Sequence, residues 1–195
     1  PGVKFHLPES PGSPLPEWPM RSYAAPYILL AENMDQRDMN GRRDGMRRFY
    51  WVIEGKLAGC SRPDIAIADD LAWLREQGIG AVLTLTEQPL PSDLLARNGL
   101  VGLHIPVDDM TAPSPAQLED ALDFIHAQIQ RHAVAVHCLM GMGRTGTVLA
   151  AYLIRHGASS DDAIRYIRSL CPDAICTEGQ ERALAKFAAA RAWII

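Results

Sequence analysis

Hydrophobic and polar positions along the chain fall into two textures that meet near Phe49. Residues 1–26 hold seven of the fourteen prolines, many in PESPGSPLPEWP, a composition that excludes helices and central strands and predicts an extended arm. Residues 37–48 (RDMNGRRDGMRR) set five arginines against two aspartates, which reads as a solvated linker or as a basic rim that attracts phosphorylated partners. From Phe49 onward, short β-type runs alternate with helical spacing. Lys56–Cys60 reads as a short first strand. Ile67, Leu71 and Leu74 predict a helix over Asp64–Gln77 that stops at Gly78, a natural C-cap. Ala81–Thr86 (AVLTLT) and Leu100–Val107 read as strands. Ser114, Pro115 and Gln117 spell a helix start, with a serine cap, proline at the first position and glutamine three after the cap. Leu118, Leu122, Ile125 and Ile129 then make one apolar face. Ala133–His137 reads as a buried strand. Helical segments follow at 144–156, 160–170 and 178–191, the last opening on a Thr177/Gln180 capping box. Strands alternating with helices predict an α/β fold: a central, mainly parallel sheet flanked by helices, preceded by the N-terminal extended arm.

Composition narrows the class without touching chemistry. At 195 residues the chain fits one domain plus an appendage, divided here as an extension over 1–48 and a folded domain over 49–195. Its longest apolar run, Val148–Ile154, is far short of the roughly twenty residues a membrane span requires, so no membrane association is expected. No charged-then-apolar leader opens the chain, so a soluble, cytoplasmic and monomeric protein is expected. A formal net charge of −4 argues against a duplex nucleic-acid partner. The four cysteines, at 60, 138, 171 and 176, form no CxxC pair, so free thiols are expected, with Cys60, Cys171 and Cys176 structural. The histidines show no metal-ligand spacing, and neither metal nor cofactor is expected.

Candidate chemistry is concentrated in VAVHCLMGMGRTGT, residues 134–147. An apolar strand runs into His137-Cys138, then a loop with Gly141 and Gly143, then Arg144-Thr145 at the start of a helix. In an α/β sheet, the carboxyl end of a strand leading into a helix N-terminus is where anions bind. Backbone N–H groups of Leu139, Met140, Gly141, Met142, Gly143 and Arg144 can converge in one concavity, with the helix dipole adding positive potential. A cysteine at the start of that loop has its thiolate form stabilised, and the planar fork of Arg144 holds two phosphate oxygens at once. The pattern describes a phosphate cradle with a sulfur nucleophile at its floor.

HCxxGxxRT in this setting resembles the signature of cysteine-based protein phosphatases, in particular the small atypical dual-specificity branch. FYWVIEGKLAGCSRP at 49–63, LTLTE at 83–87 and HIPVDDMTAPS at 104–114 are similar to the same branch; residues 1–48 are not. The resemblance implies a dual-specificity phosphatase-like fold and a two-step reaction. Cys138 attacks phosphorus, and the 139–144 loop and Arg144 hold the equatorial oxygens. An aspartic acid from the 104–114 loop protonates the leaving group and later activates water. Spacing back from Pro115 makes Asp109 the match to that acid, with Asp108 left to cap or pair within the loop. Thr145 stands where the family uses a hydroxyl to stabilise the departing thiolate. Gln180 resembles a glutamine that places the hydrolytic water, and equally suits a helix cap. His137 is expected to support the loop.

Substrate remains open among three readings. Leu139, Met140 and Met142 bring no lysine into the cradle, which favours a singly phosphorylated group on a phosphoprotein or phosphopeptide, with preference for phosphotyrosine. A small metabolite, a phosphoinositide or an RNA 5′ phosphate is the alternative, with Arg42, Arg43, Arg47 and Arg48 supplying charge. The third reading is a phosphotyrosine-binding module with vestigial catalytic parts. A low-energy thiolate at Cys138 is also open to oxidation and rescue by a neighbouring thiol.

Overall fold

The protein is described by a computed structural model covering residues 48–64 and 66–191. The expected arm therefore lies outside the described residues, as do Arg42, Arg43 and Arg47; Arg48 is inside, 4.0 Å from Asp173. The chain order is β1 (Tyr50–Ile53), β2 (Leu57–Cys60), α1 (Ile67–Glu76), β3 (Ile79–Thr84), α2 (Ser92–Arg97), β4 (Val101–His104), α3 (Pro115–Ile129), β5 (Ala133–His137), α4 (Gly143–Arg155), α5 (Ser160–Leu170) and α6 (Glu178–Arg191). The five strands lie in the order β1-β2-β5-β3-β4. All neighbours are parallel except β1 and β2, so the expected mainly parallel sheet is what forms.

Two elements depart from the sequence reading. Lys56–Cys60 is not the first strand: Tyr50–Ile53 precedes it and folds back on it as a hairpin, closed by the Lys56 N–H donating to the Ile53 carbonyl at 2.9 Å. Helix α2 was not expected. It spans only six residues and buries only Leu95, too little for a helical period to show. Other boundaries contract: the helix expected from Asp64 starts at Ile67, and the strand expected over Leu100–Val107 pairs only across Val101–His104.

Strand β5 sits in the middle of the sheet and has both faces covered, which explains its unbroken apolar run. Its residues alternate by face. Ala133 and Ala135 pack with Leu71, Leu74 and Leu95 of α1 and α2, while Val134 and Val136 pack with α3, α4, α5 and α6. Helix α4 is buried along almost its whole length, including Val148, Leu149 and Leu153. Each such leucine or valine contributes about 2 kcal/mol of transfer free energy on burial. The loop joining the central strand to the central helix, residues 138–142, is thus anchored at both ends in the core. Among the described residues no helix is long and apolar enough to cross a membrane.

Candidate active site

The loop begins where the sheet ends. His137, the last residue of β5, is fully buried between neighbours from β2 and β3: it is paired with Cys60 on one side and Thr84 on the other. Its Nδ1 lies 3.2 Å from the Cys138 carbonyl and its Nε2 lies 2.9 Å from the Thr84 hydroxyl. A carbonyl only accepts, so Nδ1 carries the proton and Nε2 accepts from Thr84. Burial drives the imidazole to about 4, the Cys138 carbonyl contact opposing that shift. His137 is therefore a neutral ring bonded to the first carbonyl of the loop on one side and to Thr84 on the other. Between pH 6.5 and about 4 the unfolded chain binds a proton that the folded chain refuses, so stability falls with falling pH, by about 3 kcal/mol in all. Denaturant melts at about pH 7, above the window, and about pH 4.5, near its lower end, should show most of this loss, and His137→Asn should flatten it. An equal slope in the variant would assign the loss to other groups.

Cys138 follows, only 3% exposed, at the floor of the loop. Helix α4 starts five residues on, with Met142 as N-cap and no side-chain capping bond. Its first-turn N–H groups therefore receive no bond from the N-cap side chain, and such donors are of the kind an anion satisfies. Arg144 lies in that turn, its side chain 2% exposed and folded back under the loop that follows β4. Its Nη1 donates to the Val107 carbonyl at 2.7 Å, and its Nη2 to Asp109 Oδ1 at 2.8 Å. The structure thus brings Asp109 rather than Asp108 to the arginine. Asp108 contributes its carbonyl, which accepts from the Thr111 hydroxyl at 2.8 Å and closes a turn.

That turn is held from both sides. The predicted capping box forms at Ser114 and Gln117, and Gln117 Nε2 also donates to the Pro106 carbonyl at 2.6 Å. From the other side Gln180 Nε2 donates to the Thr111 carbonyl at 2.9 Å. Gln180 meanwhile makes the predicted box with Thr177 and lies against Gly143, where a Cβ would sit 2.9 Å from its amide nitrogen. The glutamine both caps its helix and borders the cradle. Thr145 is fully buried, and its hydroxyl has no hydrogen-bond partner among the described residues.

Three participants were not visible in the sequence. Glu87, just past β3, lies 3.2 Å from Arg144 Nη1 through Oε2 and accepts the Asp109 N–H at 2.9 Å through Oε1. Its own backbone N–H first, and Arg144 second, hold its carboxyl below the usual range. The clue available was its place at the carboxyl edge of a parallel strand. Tyr50 donates its hydroxyl to the Gly141 carbonyl at 3.0 Å. Cys176 is exposed and borders Gly143, with its Sγ 3.2 Å from where a Cβ would stand, whereas Cys60 and Cys171 are buried free thiols. The structural reading of the cysteines therefore suits those two better than Cys176. Around the mouth, Met110, Leu139 and Met140 are three of the four large hydrophobics exposed among the described residues.

Residues 58–158 match the family model described as "Polymorphic toxin system, DSP-PTPase phosphatase". The chain is 32% identical over 149 residues to phosphatidylglycerophosphate phosphatase PTPMT2 of Arabidopsis thaliana, covering 72% of this chain and 64% of that one. It covers 43% of PTPMT1 of the same organism, at 30% identity, so it spans only part of these curated relatives' length. Among solved structures, Tk-PTP in its active form superposes with a TM-score of 0.66 at 30% identity, covering 73% of this chain and 97% of that one. Human DUSP28 does so with 0.63 at 26% identity, covering 74% and 95%. With an HCxxGxxRT loop between the central strand and the central helix, the chain belongs to the dual-specificity and protein-tyrosine phosphatase family, the cysteine-based phosphatases.

Proposed function

We propose that the protein hydrolyses phosphomonoesters through a phosphocysteine at Cys138, and that its preferred substrate is a phosphotyrosyl or other aryl phosphate on a protein or peptide. The observation that carries this reading is the convergence of Cys138, the uncapped start of α4, Arg144 and Asp109 on one loop. The Asp109 and Glu87 carboxylates pair with Arg144. An incoming phosphate competes with them for the guanidinium and releases Asp109 toward the leaving group. Asp109, freed of the guanidinium, takes up the proton that the Cys138 thiol loses; the thiolate forms the S–P bond as the P–O bond breaks, and Asp109 gives that proton to the departing oxygen. Water attacks the phosphocysteine, its proton passes to the Asp109 carboxylate, and the S–P bond breaks. The thiolate left behind is the natural partner for the orphaned Thr145 hydroxyl, whose burial without a bond otherwise costs about 1–3 kcal/mol. Gln180 lies against Gly143 at the edge of the cradle, which supports the reading that it helps hold the attacking water.

Preference for an aryl group rests on the mouth. Leu139, Met140 and Met110 present apolar surface beside the phosphate, and the loop offers no lysine for a second phosphate. The named activity of the Arabidopsis relatives supports a second reading, a lipid phosphomonoester. Steady-state assays without added metal on phosphotyrosyl and phosphoseryl peptides, phosphatidylglycerophosphate and inositol phosphates separate these. The phosphotyrosyl peptide should give the highest kcat/KM; a higher value for the lipid would replace the first reading by the second. In the same assay Asp109→Ala should lose about 100-fold in kcat, typical of a missing general acid, while Asp108→Ala stays near wild type. The reverse pattern would transfer the acid role to Asp108.

A further inference from the structure

The loop's ability to bind an anion depends on which way its peptide planes face. All peptide bonds described are trans, so each carbonyl and the N–H of the next residue point in opposite directions. Four of the loop's carbonyls are taken up on the outside. Cys138 O faces His137 Nδ1, Leu139 O accepts the Arg62 N–H at 3.1 Å, Gly141 O accepts the Tyr50 hydroxyl at 3.0 Å, and Met142 O accepts the Gly146 N–H at 2.8 Å. The N–H groups of Leu139, Met140, Met142 and Gly143 are thereby turned the other way, toward the concave side. Three of these four anchors are backbone or adjacent groups that the fold supplies automatically. The Tyr50 anchor differs: it is one side chain from β1, far away in sequence, acting on a glycine whose φ of +72 leaves its peptide free to turn.

The fold makes specific room for this contact. Tyr50 is cross-strand partner to Gly59, and a Cβ at Gly59 would lie 2.4 Å from the tyrosine Cζ. The ring therefore lies over a glycine of β2 and reaches past it to the loop after β5. Burial, together with the nearby Cys171, Cys138 and Cys60 sulfurs, raises the phenol well above its ordinary range, so it stays a donor.

We infer that Tyr50 is a positioning residue that locks the Gly141–Met142 peptide with its N–H facing the cradle, so that the oxyanion site is preformed. The inference rests on reading this loop as the phosphate site, and the test separates the two. Tungstate binding to the full chain is measured by calorimetry for wild type, Tyr50→Phe and Tyr166→Phe, together with thermal melting and the rate of Cys138 alkylation by iodoacetamide at about pH 6. Tyr166 is the control because its hydroxyl donates to the Val52 carbonyl of the same strand at 3.0 Å, away from the loop. Tyr50→Phe should weaken tungstate binding about tenfold, as expected for one misdirected N–H to an anion, and slow alkylation, because the same N–H groups favour the thiolate. Tyr166→Phe should lower the melting temperature comparably and leave both readouts at wild type. Equal tungstate affinity in wild type and Tyr50→Phe would overturn the inference, as would an equal loss in both variants, which would mean only that β1 had loosened. Failure of wild type to bind tungstate would overturn the phosphatase reading itself, and this one with it.

Discussion

Cys138→Ser is expected to lower turnover of an aryl phosphate by at least about four orders of magnitude while leaving tungstate affinity within about threefold of wild type. The two halves of this expectation come from different parts of the site. A serine hydroxyl is not ionised near neutral pH and needs a base to become a nucleophile. None is at hand: His137 is adjacent, but its Nδ1 proton is committed to the Cys138 carbonyl and its Nε2 accepts from Thr84. Asp109, the other proton carrier, is held by Arg144 and acts on the leaving group in the proposed mechanism. In the proposed mechanism anion binding, by contrast, falls to the start of α4, the N–H groups of the loop and Arg144, none of which the substitution removes. Steady-state kinetics and tungstate calorimetry on the same preparation give the two readings. Turnover within tenfold of wild type would dispose of the thiol mechanism (a threshold of about 1.4 kcal/mol in the barrier).

Gly141→Ala should cost about 3 kcal/mol of stability or more and abolish tungstate binding. Two independent costs meet at this position. The φ of +72 lies in the left-handed region that alanine adopts only with strain. A Cβ there would also stand 2.5 Å from the Cys60 carbonyl carbon, 2.6 Å from its oxygen and 2.7 Å from the Ser61 nitrogen. These are backbone atoms at the end of β2, whose register with β5 runs through Cys60 and His137, so they cannot retreat without opening the sheet. The cheaper response is for the loop to lift, which takes the Gly141 carbonyl off Tyr50 and misdirects the cradle. Denaturant unfolding and calorimetry check both consequences. Wild-type stability with wild-type binding would mean that the close approach of loop and strand does not exist in solution.

Legibility in the sequence followed the locality of each interaction. The α3 start was readable because Ser114, Pro115 and Gln117 act within one turn, and the Thr177/Gln180 box for the same reason. Strand β5 was readable because both faces are buried and its apolar run is unbroken. Strand β1 is four residues long and carries too little periodic signal to be read from the chain, so only the pairing with β2 reveals it. Asp109 was preferred to Asp108 by spacing, and the structure places it on Arg144. Which acid acts in catalysis is left to the two alanine variants.

What the sequence determined by itself was the chemistry on offer: a cysteine, a glycine-punctuated loop and an arginine at fixed spacing, between a buried strand and a buried helix. A short motif carries its own geometry, since strand, loop and helix are contiguous and the backbone supplies the donors. The tertiary structure alone decided what surrounds that loop. Glu87 reaches Arg144 from 57 residues upstream, and Tyr50 reaches Gly141 from 91 residues upstream. Both contacts exist because the strand order β1-β2-β5-β3-β4, with β1 antiparallel and the other strands parallel, gathers the start of β1 and the ends of β3 and β5 at one edge of the sheet. Cys176 comes to the rim because α6 packs against α4. Side-chain identity is written in the chain, but adjacency across a sheet is created only when the strands pair, so the groups that orient the cradle could not be read before the fold was known.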